Sequence, residues 1–171
     1  MTQLTLIAEG GAVTTPALAA GFAVRSPAEG DARRLGRLYF DAGVPYANLA
    51  HAEAAVEEIL AFFRGEFGIF WPAASGLVEH DGALVAALLA VHRAPWDDTP
   101  DGPFITDLFT DPGFRRRGLG RVLVARCLDA VHRSARGFAA LRVESDNSPA
   151  VRLYLSFGFR PYAPPDRRAA R

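Results

Sequence analysis

Cysteine is almost absent from this 171-residue chain. Cys127 is the single one, so no intrachain disulfide can form and nothing calls for an oxidising compartment. An excess of charge of either sign is missing too. Nineteen basic residues balance nineteen acidic ones, whereas a general nucleic-acid binder would show a basic surplus. No apolar run approaches the ~20 residues of a membrane span; the longest, Ala83 to Val91, suits a buried strand. The start, Met1-Thr2-Gln3-Leu4, lacks the positive region of a secretory signal, and Glu9 interrupts its apolar stretch. His51, His80, His92 and His132 show no ligand spacing with Cys127, so no metal is expected. Internal repeats are absent. The expectation from these absences is a cytoplasmic protein that binds neither nucleic acid nor membrane, with a homodimer as the default symmetric assembly.

What is present reads as one ordinary domain. Half the residues are hydrophobic and 22% are charged, enough to build a real core. Residues 1–21, rich in Gly, Ala, Thr and Pro, read as an arm with a short strand at Leu4 to Ile7. Residues 22–163 read as a single domain and 164–171 as a frayed tail. Phe22 to Arg25 alternates as a strand does. Asp31 is placed to cap a helix reaching Ala42, with Leu35, Leu38 and Tyr39 on its core face. A second helix is expected from about His51 to Glu66, with Ala55, Ile59, Leu60 and Phe63 on its apolar face.

Strands at Gly76 to His80 and Ala83 to His92 flank Asp81-Gly82, a hairpin signal. The loop Pro95 to Gly102 breaks the pattern, and Phe104 to Thr110 is the next strand. Leu119, Leu123, Cys127 and Val131 form an i, i+4 stripe on a helix from Gly118 to Arg136, with Gly137 just past its end. On that stripe Cys127 reads as inert core. Ala139, Leu141 and Val143 alternate on a strand. Ser148-Pro149 starts a helix ending at Gly158, and Phe159 to Tyr162 is a last strand. The order β-α-α-β-β-β-α-β-α-β predicts an α/β fold with a mixed, mainly antiparallel sheet and about four flanking helices.

The segment Arg115 to Arg121 reads R-R-R-G-L-G-R, between a strand and an amphipathic helix. A helix N-terminus leaves backbone N–H groups unpaired and its dipole favours anions. Glycines at 118 and 120 let those groups approach a phosphate closely. A dinucleotide fingerprint would need a third glycine where Leu123 stands, and a Walker A loop would need Gly-Lys-Ser/Thr. Taken alone, the segment is equally a basic turn with a glycine N-cap.

Its surroundings narrow the choice. Asp111-Pro112, R-x-x-G-x-G, the helix, a strand, Asn147, Leu153-Tyr154 and Phe157-Gly158-Phe159 follow in one order. The stretches "TDLFTDPGFRRRGLGRVLVARCLDAV" and "LRVESDNSPAVRLYLSFGF" resemble the GNAT acyltransferase superfamily from about Ile105 to Phe159. The N-terminal half matches only in its order of elements. The resemblance implies a GNAT-like fold with a splayed pair of strands at Phe104 to Thr110. It implies acetyl-CoA as cosubstrate, with no metal, and a small-molecule or peptide amine as acceptor. Carried over, the pyrophosphate site comprises Arg115, Arg116, Arg117, Gly118, Leu119, Gly120 and Arg121. Leu108, Phe109 and Thr110 would bond the pantetheine arm, and Asn147 would contact the CoA moiety. Tyr154 would reprotonate the departing thiolate, although Val151, Tyr154 and Leu155 also share a core-like helical spacing.

The chemistry implied is proton removal from an amine with an ordinary pKa of about 10.4, attack on a thioester, and stabilisation of an oxyanion. Asp107, beside Leu108, is the first candidate for the base; Glu144 and His92 are the others. The branch acting on ribosomal-protein N-termini carries its base where this chain has Arg142, a departure that argues against that substrate. A non-catalytic acyl-CoA-binding or regulatory domain would need the same turn, and Tyr154 is the residue that discriminates.

The aromatic-rich stretch Tyr39, Phe40, Tyr46, Phe62, Phe63, Phe67, Phe70 and Trp71 reads mostly as core. Some of these rings, with Trp96, would wall the acceptor site, and Glu53 or Glu57 would either attract a cation or form a solvated face. The family usually follows its Gly-Phe pair with a two-stranded hairpin, but only one strand fits before Pro164-Pro165. The strand at Leu4 to Ile7, from the same chain or a partner, is a candidate for the empty place.

Overall fold

A strand that is apolar at nearly every position must be covered on both faces. The strand at Ala83–Val91 (β4) is buried from Leu84 onward and lies inside the sheet. In this computed structural model, which describes residues 2–44 and 50–164, seven strands form one sheet and four α-helices flank it. The other strands are β1 (Gln3–Glu9), β2 (Phe22–Arg25), β3 (Gly76–His80), β5 (Phe104–Thr110), β6 (Phe138–Glu144) and β7 (Arg160–Pro161). The helices are α1 (Ala32–Asp41), α2 (Ala52–Phe63), α3 (Leu119–Arg133) and α4 (Ser148–Ser156). Strand order is β2-β3-β4-β5-β6-β1-β7, antiparallel throughout except for β5–β6. This is the mixed, mainly antiparallel sheet the sequence predicts.

Alternating side chains divide the core in two. Leu88 and Ala90 of β4 join Leu119, Leu123, Cys127, Tyr154 and Phe159 on the α3/α4 side. Ala87, Leu89 and Val91 join Leu35, Ile59, Phe62 and Phe109 on the α1/α2 side. Helices α1 and α2 touch backbone to backbone. A Cβ on Gly36 would lie 2.5 Å from Val56 Cα, so only glycine fits this crossing. The hairpin forms at Asp81-Gly82, with φ of 49° and 79°.

Several local expectations change. Asp31 flanks α1 but does not cap it with its side chain. Its carboxylate instead accepts from Ala28 N and pairs bidentately with Arg25 at 2.6 and 2.8 Å, so charge pairing with β2 wins over capping. The buried face of α2 is Ala55, Val56, Ile59, Ala61 and Phe62, not Leu60 and Phe63, and the helix stops at Phe63 instead of Glu66. Phe63 packs on Phe62 and Phe70, at 5.6 and 5.1 Å between ring centres, at the margin of that core. Helix α3 ends at Arg133 rather than Arg136. Ala135, at φ 55°, takes the left-handed position expected of Gly137. Tyr46 and residues 165–171 lie outside the described residues.

The strand expected at Leu4 to Ile7 forms over Gln3–Glu9 and comes from the same chain. It sits between β6 and β7, pairing Gln3↔Glu144 through Glu9↔Phe138 on one side and Leu6↔Pro161 on the other. That place matters for the site, because β6 is held by β1 along its whole length and needs no second partner at its far end.

Candidate active site

Strands β5 and β6 begin as a parallel pair and then part. Only Phe104↔Ala140 and Ile105↔Leu141 are matched. Beyond them β5 stays with β4 and β6 stays with β1. A bulge helps to turn β5: Leu89 faces Asp107 and Ala90 faces Ile105, so Thr106 is the extra residue. Thr106 Oγ1 donates to Leu89 O at 3.2 Å and fastens that bulge. The two facing edges past Ile105 and Leu141 thus offer backbone N–H and C=O groups with no strand opposite, a ready partner for an extended amide-bearing ligand.

A pocket occupies this gap. Its walls include Asp107 and Leu108 of β5, Arg142 and Glu144 of β6, and Asn147 and Tyr154 of α4. Asp107 points to the α1/α2 side, where the Tyr39 hydroxyl donates to Oδ1 at 3.1 Å. Burial pushes the Asp107 carboxyl up to about 6 and the charge of Glu58 adds to the rise, against hydrogen bonds from Thr106 and Tyr39. Glu144 Oε2 is shut from solvent with no hydrogen-bond partner among the described residues. Tyr154 is buried from the opposite face, with its ring edge-on to Phe159 at 5.5 Å. Asn147 caps α4, its side-chain oxygen accepting from Ala150 N at 3.3 Å.

The glycine-arginine turn follows β5 and meets it again through Gly120, next to Leu108. Asp111 Oδ1 accepts from Gly113 N at 2.7 Å and starts the turn Pro112–Phe114. Arg116 and Gly118 then take positive φ, 62° and 80°. Helix α3 opens with the bond from Val122 N–H to Gly118 O at 3.2 Å, so the amides of Leu119, Gly120 and Arg121 have no helical carbonyl to bond. A Cβ on Gly120 would lie 3.2 Å from Leu153 Cδ2 and 3.8 Å from Leu108 Cδ2, which draws the helix start tight against α4 and β5.

The arginines play unequal parts. Arg115 donates to Ala42 O at 2.7 Å and Thr110 O at 3.3 Å, tying the turn to α1. Arg117 lies over Phe114 at 5.0 Å. Arg121 donates to Ser156 Oγ at 3.0 Å and lies over Phe157. Arg116 is exposed.

Of the three candidate bases, Asp107 and Glu144 meet Tyr154 in the pocket. His92 does not line it; it stacks on Trp71 at 4.6 Å, and burial lowers its pKa. Of Leu108, Phe109 and Thr110, Leu108 lines the pocket while Phe109 is buried under α1, 5.0 Å from the Tyr39 ring centre. Sequence reasoning missed Tyr39 as a partner of Asp107, Thr106 as a bulge and Glu58 as a charge near Asp107. Tyr39 and Glu58 are ordinary helix residues in a linear reading, and no local signal marks them.

Comparison with known proteins follows the same outline. The profile of the acetyltransferase (GNAT) family matches residues 38–159. Mycothiol acetyltransferase of Beutenbergia cavernae is 39% identical over 85 residues, 48% of this chain and 26% of that protein. The match therefore spans about a quarter of that relative's length. A GCN5-related N-acetyltransferase from Sphaerobacter thermophilus shares the fold at a TM-score of 0.70 and 16% identity, over 94% of this chain and 48% of that one. An acetyltransferase structure from Salmonella typhimurium, solved with its cofactor acetyl-CoA, shares it at a TM-score of 0.61 and 18% identity, over 84% and 82%.

Proposed function

Since the chain belongs to the acetyltransferase (GNAT) family, we propose that it moves an acetyl group from acetyl-CoA to a primary amine by direct attack in a ternary complex. The observation that carries this reading is the gap between β5 and β6, with Asp107 on one face and Tyr154 on the other. A thioester laid in the gap would present its carbonyl carbon to an amine on the Asp107 side and its sulfur to the phenol.

The steps follow from the groups present. Asp107, with its carboxyl raised to about 6, is ionised at neutral pH yet basic enough to take a proton from the acceptor ammonium, directly or through water. The neutral nitrogen attacks the thioester carbon. An unpaired N–H on the β5 edge meets the oxyanion. As the C–S bond breaks, Tyr154 gives its proton to the sulfur and is refilled by the second proton leaving the nitrogen. The balance is one amide, one thiol and one proton released. The unpaired amides of Leu119 to Arg121, with the helix dipole behind them, are proposed to hold the pyrophosphate. Arg116, Arg117 and Gly118 complete that turn, and Asn147 flanks the pantetheine path. Arg115 is proposed to act there indirectly, by bracing the turn against α1.

A Tyr154→Phe variant tests the assignment. Its kcat in a CoA-release assay should fall by about 10- to 100-fold, while its acetyl-CoA affinity in calorimetry stays at the wild-type value. Turnover at the wild-type rate would remove Tyr154 from the reaction.

A further inference from the structure

The acceptor side of the gap is not uniformly acidic. Arg142 stands two residues before Glu144 on β6, so both side chains leave the same face of the strand. Ala140, two residues earlier still, belongs to the core beneath α1 and α2, which places that face on the Asp107 side. A cation in the wall of a site that receives an ammonium group repels the substrate. It makes sense if the same substrate molecule also carries an anion.

The way Arg142 is held fits that role. Its guanidinium lies over the Trp96 ring at 5.3 Å, and Trp96 rests edge-on against Phe104 at 5.7 Å. The Arg142 side chain is 20% exposed. Its carboxylate partner is Asp98, 44 positions away on the loop Pro95 to Gly102, with a side chain 72% exposed. A pinned guanidinium is thus paired with a loosely held, solvated aspartate, which an incoming carboxylate can displace. Farther along the same face of β6, Glu144 Oε2 is buried with no hydrogen-bond partner among the described residues, as a site built for an ammonium group would leave it.

We propose, building on the acetyl-transfer reading above, that the acceptor is of amino-acid type, a small molecule carrying a carboxylate beside its amine. Arg142 binds the acceptor carboxylate in place of Asp98, and Glu144 and Asp107 receive its ammonium group. A phosphate-bearing amine fits less well. Arg142 is the one cation among the pocket-lining residues, and it faces two carboxylates there. One guanidinium matches a single negative charge.

The test uses the full chain at saturating acetyl-CoA, with the standard free amino acids, their carboxamides and simple polyamines as acceptors. At least one free amino acid should exceed its carboxamide by about tenfold or more in kcat/KM. Arg142→Gln should raise KM for that amino acid by about tenfold with little change in kcat, and should not raise KM for the carboxamide, which keeps the ammonium group that Arg142 repels and lacks the carboxylate that it binds. Asp98→Ala, an exposed change that spares the pocket, should lower the amino-acid KM severalfold, because it removes the internal competitor. Carboxamides or polyamines acetylated as well as the free acids would overturn the proposal while leaving acetyl transfer intact. So would unchanged amino-acid KM values in both variants. Acetyl-CoA bound with no acceptor turned over in any set would overturn this proposal, whereas failure to bind acetyl-CoA at all would overturn the acetyl-transfer reading beneath it.

Discussion

The two sides of the β5–β6 gap are built from different materials. On the α3/α4 side the candidate cofactor site is mostly backbone: the helix-start amides from Leu119 to Arg121, two positive-φ residues and the unpaired edges of two strands. On the α1/α2 side the candidate acceptor site is side chain, assembled over long separations. Tyr39 meets Asp107 across 68 positions, and Asp98 meets Arg142 across 44. A backbone site depends on local conformation and tolerates most side-chain changes outside its glycines. A side-chain site can be retuned by single substitutions without moving the sheet.

The largest expected effect comes from breaking the backbone side. Gly120→Glu places a side chain where a Cβ alone already meets Leu153 at 3.2 Å, and sets a carboxylate beside the amides. Acetyl-CoA affinity measured by calorimetry should fall by about 100-fold or more. Retained affinity would mean that the turn is only a helix start.

A smaller effect should follow on the side-chain side. Asp107→Asn should lower kcat by about 100-fold while leaving the acetyl-CoA affinity unchanged, which keeps the two sides separable. The wild-type kcat/KM should rise with pH through about 6, as Asp107 loses its proton, and this limb should vanish in the variant. A wild-type profile flat through that region would assign the base elsewhere.

The smallest effect is on stability. The folded pKa of Asp107 lies above its ordinary 3.8. Between about pH 4 and pH 6 the folded state therefore holds more protons than the unfolded one, so this group's contribution to stability declines as pH rises through that window. Asp107→Asn lacks the term. Denaturant titrations should show its stability relative to wild type growing by about 1–3 kcal/mol from the bottom of the window to the top. A constant difference would show that folding does not raise the Asp107 carboxyl.

The same contrast explains what the sequence disclosed. Where structure is set by neighbours along the chain, the linear reading holds: the Asp81-Gly82 hairpin, the apolar run of β4, and the α3 stripe of Leu119, Leu123, Cys127 and Val131, all buried. The helix start expected near Gly118 belongs to this class, with Gly118 at φ 80° directly before α3. Where tertiary partners decide, it fails. Asp31 leaves its cap for Arg25, and α2 turns Val56 and Phe62 inward because α1 crosses it at Gly36. The Thr106 bulge has no sequence mark, yet it helps to bend β5 away from β6 beside Asp107. The candidate acceptor side is legible only as candidate residues, since two of the groups that tune Asp107, Tyr39 and Glu58, come from helices far back in the chain.

The central claim is that the gap between β5 and β6 receives the thioester with Asp107 and Tyr154 on opposite sides of it. A crystal structure with acetyl-CoA bound tests this most directly. The account predicts the pyrophosphate against the amides of Leu119 to Arg121, the pantetheine along the free edge of β5, and the thioester carbon between Asp107 and Tyr154. Acetyl-CoA bound outside the gap, or with its sulfur remote from Tyr154, would contradict it.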